Sequence, residues 1–226
     1  MEKRVARTAI LIGATGLVGE ACLDYLLQSP AYEKLTVFTR RPLDYQNPKL
    51  TTHVIDFDKL DEFGHLIRAD DIYCCLGTTI RKAKSKENFR KIDYEYCVEF
   101  AKRALAQGAK QFLLVSSLGA NSESPFFYLR TKGELEEALM ELGFDSLSVL
   151  QPSLLLGERN ESRPGEKMMM HMHRYFDSFF IGPMKSYRGI EARNVALAMV
   201  YLGEEAKPGF RRVVSQELAK LAHSGH

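Results

Sequence analysis

The chain has 226 residues, a length typical of one large domain with a full hydrophobic core. Its 45% apolar and 27% charged residues exclude a disordered chain, a collagen-like repeat and a small disulfide scaffold. The net charge is +2 and the basic residues are spread along the chain, so no basic stripe suggests nucleic acid as a partner.

Cysteine content and apolar runs predict a cytoplasmic protein without a membrane span. The four cysteines lack zinc-ligand spacing, and two of them, Cys74 and Cys75, are adjacent, which is poor geometry for a disulfide. We therefore expect buried thiols in a reducing compartment. The apolar run Ala9–Ile12 is shorter than a signal-peptide core, and no segment reaches the ~18 apolar residues of a membrane span.

Strand and helix patterns alternate along the first two thirds of the chain. Six short runs rich in apolar and β-branched residues predict strands: Thr8–Ile12, Leu35–Thr39, Thr51–Phe57, Asp71–Leu76, Phe112–Val115 and Ser146–Leu150. Helical spacing follows the first strand up to Pro30 and recurs over three further stretches: Ser85–Gln107, Phe126–Leu142 and Ile190–Leu202. A strand-like run, Phe210–Val214, comes near the end, and the last residues from His223 are expected to fray.

This order predicts an α/β fold, with a doubly wound and mostly parallel sheet covered by helices on both faces. No repeat or linker divides the chain, so residues 1–226 are expected to form a single nucleotide-binding domain. Residues 157–226 differ in composition and are predicted to form a small C-terminal part on the substrate side.

The first strand is followed by the sequence GATGLVG, which has the spacing GxxGxxG. Its glycines are Gly13, Gly16 and Gly19. Between a strand and a helix this spacing is typical of a loop that binds the pyrophosphate of a dinucleotide, because the helix begins with free N–H groups and a positive dipole end. The alternative is a glycine-rich turn that binds no ligand.

The residues after the second strand select the cofactor. Proteins that bind NAD usually have Asp or Glu at this point, whereas this chain has Arg40 and Arg41. Guanidinium groups pair well with a 2′-phosphate, so we predict NADP(H). The alternative is that one or both arginines are solvated surface charges.

Two more strand ends are expected to line the cofactor crevice. Asp56 and Phe57 close the third predicted strand, where the carboxylate either accepts from an adenine amino group or caps the next helix. Leu76, Gly77 and Thr78 close the fourth, where a small residue would let the ribose approach, although a plain turn is the alternative.

A serine, a tyrosine and a lysine, which together can transfer a proton, come at the end of the fifth strand and after it. Tyr128 and Lys132 are four residues apart on a predicted helix and therefore share one face. A nearby ammonium favours the phenolate form, and a serine hydroxyl can hold the substrate oxygen. Ser117 is our first choice for that serine, with Ser116 as the second. The alternative is a tyrosine at the edge of the core beside a solvated lysine.

The chain resembles the short-chain dehydrogenase/reductase superfamily, in its atypical and extended branches, and most closely the Tat-interacting-protein oxidoreductase-like family. Over about residues 8–202 the resemblance rests on five segments: GATGLVG, CCLGTT, LLVSSLGA, FYLRTKGE and QPSLLLGERNESRPGE. It implies a Rossmann fold that binds NADPH, with Ser117, Tyr128 and Lys132 at the catalytic positions. It also implies that Pro152 and Ser153 lie near the nicotinamide.

The predicted cofactor contacts are Gly13, Thr15, Gly16, Leu17, Val18, Gly19, Arg40, Arg41, Asp56, Phe57, Leu76, Gly77, Thr78, Ser116, Tyr128, Lys132, Pro152 and Ser153. One departure from the superfamily concerns Asp93, which stands where many members have an asparagine that supports a proton relay. Another is the short C-terminal part, which argues against a bulky nucleotide sugar in a deep dedicated domain.

The C-terminal region adds two weaker features. Arg159, Arg163 and Glu166 either bind an anionic substrate or form a salt-bridged loop. The segment Met168–His173 suits an adaptable apolar lid or a partner surface, and its two histidines lack the third ligand of a metal site, so we predict no metal.

The sequence as a whole predicts an NADP(H)-dependent oxidoreductase that transfers hydride to or from a small carbonyl or alcohol. Two alternatives remain open: an epimerase or dehydratase acting on a nucleotide sugar, and a weakly active NADPH sensor that works through a protein partner. We expect a monomer or a homodimer.

Overall fold

The structure is a computed structural model that describes residues 6–157 and 189–224. Its strands are β1 (Arg7–Ile12), β2 (Tyr32–Thr39), β3 (Leu50–Val54), β4 (Asp71–Cys74), β5 (Gln111–Val115), β6 (Ser146–Gln151), β7 (Leu155–Leu156), β8 (Ile190–Glu191) and β9 (Gly209–Val214). Its α-helices are α1 (Leu17–Gln28), α2 (Leu60–Phe63), α3 (Ile80–Ala83), α4 (Lys86–Arg90), α5 (Tyr96–Ala106), α6 (Phe127–Leu142), α7 (Ala192–Glu205) and α8 (Ser215–Ser224).

Seven strands form one parallel sheet in the order β3-β2-β1-β4-β5-β6-β9. The chain moves outward from β1 to β3 and then returns to place β4 on the other side of β1. A crevice opens at such a reversal, at the carboxyl ends of the strands. The predicted fold class, a doubly wound Rossmann-like α/β fold, is confirmed.

Two apolar clusters cover the two faces of the sheet. Alternate residues of β1 divide between them: Ala9 and Leu11 pack against α1, α7 and α8, whereas Ile10 and Ile12 pack against α5 and α6. A strand buried on both faces needs an unbroken apolar run, which explains the composition of this strand. None of the described helices is long and apolar enough to cross a lipid bilayer.

Several predicted boundaries are corrected by local hydrogen bonding. The third strand ends at Val54, because the Asp56 carboxylate accepts from the Asp58 N–H and turns the chain into a 3-10 helix at Phe57–Lys59. The fourth strand ends at Cys74. Ile190 starts the short strand β8 rather than a helix, since it pairs with Leu155. Residues Ser215–Ser224 form α8, which includes His223 and was not predicted.

The long predicted helix Ser85–Gln107 is divided by one π-turn. Helix α4 is followed by a π-helical turn, Lys91–Glu95, and then by α5. The Cys97 thiol lies 3.7 Å from the carbonyl oxygen of Ile92, five residues earlier. A π-turn inserts one residue into a helix and changes the direction of the side chains that follow, and such turns are frequent at functional sites.

Residues 189–224 add the last strand to the parallel sheet and a helix to one of its faces. Strand β9 pairs with β6, and α7 packs against α1. A Cβ atom added at Gly203 of α7 would lie 1.8 Å from the Tyr73 hydroxyl, so only glycine allows this close approach. The prediction that residues 157–226 form a substrate-side part stays a prediction, because residues 158–188 lie outside the described ranges.

A buried polar cluster joins the strands at the amino edge of the sheet. The Asp71 carboxylate is 2% exposed, lies 2.7 Å from the Arg7 guanidinium and accepts a hydrogen bond from the Tyr32 hydroxyl. Arg7 also donates to the carbonyl of Gly203 in the last turn of α7. Burial, which outweighs the nearby Arg7, raises the pKa of Asp71 to about 6.

This raised pKa gives Asp71 a distinct effect on stability. The folded protein binds the proton more tightly than the unfolded chain, so the contribution of Asp71 is present below the unfolded pKa of 3.8 and is lost as the pH rises through about 6. The full change corresponds to about 3 kcal/mol. Asp71→Asn, which does not titrate, should remove this slope in urea unfolding between pH 4 and pH 7.

Asp44→Asn is the matched control, because Asp44 is exposed and forms no ion pair with a described residue. It should keep the pH dependence of the wild-type protein. Parallel stability curves for wild type and Asp71→Asn would contradict the prediction.

Candidate functional site

The turn after β1 approaches the end of β4 so closely that two of its glycines are obligatory. Gly13 has a φ of +83°, and a Cβ atom there would lie 2.4 Å from the carbonyl carbon of Cys75. At Gly19 a Cβ would lie 2.0 Å from the Gly13 carbonyl oxygen. Packing of the chain itself therefore requires glycine at both positions.

Gly16 differs from the other two glycines. A Cβ atom added there would meet the Gly13 oxygen at 3.5 Å, which is ordinary van der Waals contact, and its φ of −91° suits any residue. Packing of the described chain therefore leaves Gly16 unexplained. A ligand lying against the backbone at this point would explain it, which is how a pyrophosphate binds.

Gly16 is also the N-cap of α1, and no side chain caps this helix. Among the described residues, the N–H groups of the first turn, including those of Leu17 and Val18, therefore have no side-chain acceptor and can face an anion. Val18 is buried, so its contribution would come from the backbone alone, whereas Thr15 is exposed beside the turn. These features fit a bound dinucleotide.

The end of β2 presents two arginines at the same edge. The Thr39 hydroxyl donates to the carbonyl of Arg41 and accepts from its N–H, which fixes the start of the loop. Arg40 and Arg41 are both exposed, and neither forms an ion pair with a residue that the structure describes. Both guanidinium groups are thus available to a ligand.

Asp56 and Phe57 are only partly available. One oxygen of the exposed Asp56 carboxylate caps the 3-10 helix, as the alternative interpretation expected. The Phe57 ring is buried against Tyr96, with 5.5 Å between ring centroids. Phe57 can therefore reach a ligand only through its backbone.

The loop after β4 lies over a buried ion pair. Asp93 Oδ1 is 2.7 Å from Lys132 Nζ, and the two side chains are 1% and 4% exposed. The Thr78 N–H donates to Asp93 Oδ2 at 2.8 Å. A Cβ at Gly77 would lie 3.5 Å from Asp93 Oδ1 and 3.8 Å from Lys132 Nζ, so Gly77 forms the roof of the pair. Leu76 beside it is half-buried.

The ion pair determines the charge of Lys132. Burial alone would lower the pKa of the ammonium, but the Asp93 carboxylate, and after it Tyr128 and Cys97, act in the opposite direction. The pKa of Lys132 therefore lies above its ordinary value, and the side chain carries a proton at neutral pH.

Helix α6 carries Tyr128 one turn before Lys132. The Tyr128 ring is half-buried and packs on Phe89 of α4 with 5.6 Å between centroids. No described residue forms a hydrogen bond with its hydroxyl. Gly133 lets α6 pack tightly on the loop after β5, because a Cβ there would lie 2.2 Å from the backbone of Asn121.

The structure distinguishes the two serines at the end of β5. Ser116 is buried and donates its hydroxyl hydrogen bond to Glu136, which satisfies it within the fold. Ser117 is half-buried, and no described side chain forms a hydrogen bond with its hydroxyl. Ser117 therefore remains the better candidate for contact with a substrate.

Sequence reasoning missed Glu136. Its carboxylate is 1% exposed and accepts from Ser116, from Gln151 at 2.8 Å and from Arg212 at 3.0 Å. These contacts join α6 to β5, β6 and β9. The signal was present in the sequence, since Glu136 follows Tyr128 and Lys132 at a further interval of four on the apolar face of α6.

The end of β6 comes near the same loop. The Leu118 N–H donates to the carbonyl of Pro152 at 2.9 Å, so the loops after β5 and β6 are in contact. The Ser153 hydroxyl lies 2.8 Å from the Ser215 hydroxyl at the start of α8. Arg159, Arg163, Glu166 and the segment Met168–His173 lie outside the described residues.

Comparisons with known proteins show the family to which the chain belongs. Residues 13–167 match the family described as NAD(P)H-binding. The chain belongs to the NAD(P)H-binding family. Rat protein HTATIP2 is 35% identical over 97% of this chain and 89% of its own length. The mitochondrial protein FMP52 of Candida albicans is 36% identical over 96% of this chain and 99% of its own length.

The NAD(P)H-binding fold also matches solved structures. A putative NAD-dependent epimerase/dehydratase from Bacillus halodurans superposes with a TM-score of 0.70 over 97% of this chain and all of the other, at 18% identity. The UDP-glucose 4-epimerase of Thermotoga maritima gives 0.69 over 96% of this chain and 82% of its own, at 13% identity. These likenesses concern the fold, and together with the sequence relatives they confirm the resemblance to an atypical short-chain dehydrogenase/reductase family.

The prediction of a cytoplasmic location is wrong. Relatives that match 96% of the chain, from Candida albicans and Lodderomyces elongisporus, carry the name FMP52, mitochondrial. The cysteine argument failed because reduced thiols exclude only oxidising compartments and do not distinguish one reducing compartment from another.

Gly16 provides a test of the phosphate loop. Gly16→Ala should keep the melting temperature of the wild-type protein, because its backbone and the space around it accept a methyl group. It should weaken NADPH binding, measured by calorimetry, by about tenfold or more, since the methyl group occupies the approach of the pyrophosphate.

Gly13→Ala is the structural counterpart. Its positive φ and the 2.4 Å contact with Cys75 should destabilise the protein by at least about 2 kcal/mol. Unchanged NADPH affinity in Gly16→Ala would show that the loop does not hold the cofactor.

Proposed function

We propose that the protein is an NADP(H)-dependent oxidoreductase that transfers hydride to or from a small carbonyl or alcohol. The observation that carries the proposal is the position of Tyr128 one turn before the charged Lys132 on α6, with Lys132 lying beneath the loop that follows β4. A phenol beside an ammonium, at the edge where such sheets bind dinucleotides, is suited to proton transfer during hydride transfer.

Each residue then has a distinct role. Ser117 donates a hydrogen bond to the substrate oxygen, and Tyr128 donates the proton to that oxygen during reduction or accepts it during oxidation. Lys132 donates to the ribose hydroxyls, and its positive charge favours the negative charge that develops on the Tyr128 oxygen during proton transfer. The bound nicotinamide supplies the hydride in one direction and accepts it in the other.

The preference for NADP(H) is part of the proposal and rests on Arg40 and Arg41. Both are exposed at the end of β2 and have no carboxylate partner among the described residues. The 2′-phosphate of NADP(H) would provide an anionic partner for their guanidinium groups.

Replacing both arginines tests this preference. Arg40→Gln/Arg41→Gln should weaken NADPH by roughly ten- to a hundredfold, since hydrogen bonds to charged groups contribute about 1.5–3 kcal/mol, and should change NADH affinity little. Calorimetric titration measures both. Arg68→Gln, at the opposite edge of the sheet before β4, is the control. An equal loss for NADPH and NADH would refute the assignment.

Tyr128→Phe tests the chemistry. Reduction of carbonyl compounds with NADPH should fall by about a hundredfold or more, the usual contribution of a general acid, while NADPH affinity stays nearly unchanged. Tyr201→Phe, which removes a hydroxyl on α7, should keep full activity.

If Tyr128→Phe is as active as the wild-type protein, or if no carbonyl compound in a broad panel is turned over, the oxidoreductase proposal fails. A sensor role through a protein partner then becomes the better explanation. An NADPH cofactor that copurifies and is not released in each cycle would favour an epimerase or dehydratase instead.

A further inference from the structure

Asp93 occupies an unusual position, because a carboxylate without solvent exposure lies within the floor of the site. The π-turn Lys91–Glu95 carries it, and the side chain contacts both the Thr78 N–H and the Lys132 ammonium. Asp93 as a whole is 0% exposed. The loop after β4, the π-turn and α6 thus meet at one side chain.

A purely structural explanation does not account for this arrangement. Burying two charges carries a desolvation penalty that attraction within the pair often fails to exceed, and apolar residues of similar volume are commonly as stable. Asp93 Oδ1 lies 2.7 Å from Lys132 Nζ, so the buried carboxylate contacts the ammonium directly. The pair therefore holds the Lys132 ammonium in place by charge.

We propose that Asp93 is a positioning residue of the cofactor site, which keeps Lys132 charged and fixed beneath Gly77 and ties it to the cofactor-facing loop at Thr78. This inference rests on the proposed function, because Lys132 is taken to donate to the cofactor ribose. Asp93 acts through Lys132 and does not itself touch the ligand.

Among the groups around Lys132 Nζ, Asp93 contributes most to keeping the ammonium charged. Tyr128 faces it from α6 and Cys97 from α5, and the Cys97 sulfur lies 3.7 Å from the Cys74 sulfur of β4. The hydrogen bond with Cys74 and burial keep the pKa of Cys97 well above its usual range, so the thiol is neutral. Asp93 is the only carboxylate among these groups.

Removing the carboxylate charge should therefore make Lys132 titrate. In Asp93→Asn the ammonium stays buried without its counter-charge, so desolvation dominates and the pKa of Lys132 falls below its ordinary value. Lys132 then loses its proton, and with it a charged contact to the cofactor, as the pH rises from about 7.5 toward 9.5.

The experiment is a titration with NADPH across this pH range, in which the fluorescence of the nicotinamide reports binding. Asp93→Asn should weaken NADPH about tenfold more at pH 9.5 than at pH 7.5, relative to wild type. Asp93→Glu, which keeps the charge, should restore a wild-type pH profile. Glu134→Gln is the matched control: Glu134 lies on α6 with Lys132, and its replacement breaks the ion pair with Arg90 of α4 but should leave the profile unchanged.

The double variant Asp93→Asn/Lys132→Met separates the charge effect from a loss of packing. It should bind NADPH more weakly than wild type but without the pH dependence of Asp93→Asn, because the side chain that titrates in that variant, Lys132, has been removed. If Asp93→Asn does not fold, the double variant should still fold, since both members of the pair are removed together.

Thermal unfolding without NADPH gives a second readout. A depressed pKa of Lys132 favours the neutral form in the folded state, so the destabilisation of Asp93→Asn should be largest at neutral pH. It should shrink as the pH rises toward the unfolded pKa of about 10.4.

Several results would overturn the inference. They are a pH profile of Asp93→Asn parallel to wild type, a loss of binding that Asp93→Glu does not restore, and a double variant that fails to fold. If wild-type protein does not bind NADPH, the proposed function itself fails, and this outcome is distinguishable from failure of the role of Asp93.

Discussion

The contact between the backbone of Gly13 and that of Cys75 is the constraint on which the site depends. It brings the turn after β1 against the loop after β4 at the point where the strand order reverses, and a side chain at Gly13 would prevent it. Gly19 then lets α1 start directly above that turn. The start of α1, the arginines after β2 and the roof over Lys132 consequently share one edge of the sheet, which is the arrangement that a long anionic cofactor requires.

The fold could be predicted because strands covered on both faces leave an unbroken apolar signal. All six predicted strands of the first two thirds exist, and the predicted helix that carries Tyr128 begins within one residue of its true start. The errors arose where side chains or tertiary pairing override local preference. Asp56 ends β3 by capping the following turn, and Ile190 is extended because it pairs with Leu155. Neither contact has a periodicity that the sequence displays.

The candidate site was predictable in its parts but not in its connections. Glycine spacing and the interval between Tyr128 and Lys132 identified the residues, whereas the sequence did not reveal that Glu136 bonds Ser116. It also did not reveal the π-turn, which places Asp93 against Lys132. Such contacts join residues 20 to 39 positions apart, and they depend on how helices pack rather than on any single element.

Helix α7 has a consequence for the order in which the molecule is assembled. It covers the apolar side of α1, and its last turn is held by Arg7 of the first strand and lies against Tyr73 at Gly203. Among the described residues, the apolar side of α1 is therefore covered by a helix, Ala192–Glu205, that is synthesised much later than α1 itself. Until that helix has been synthesised and has folded, this apolar side of α1 stays exposed in the growing chain.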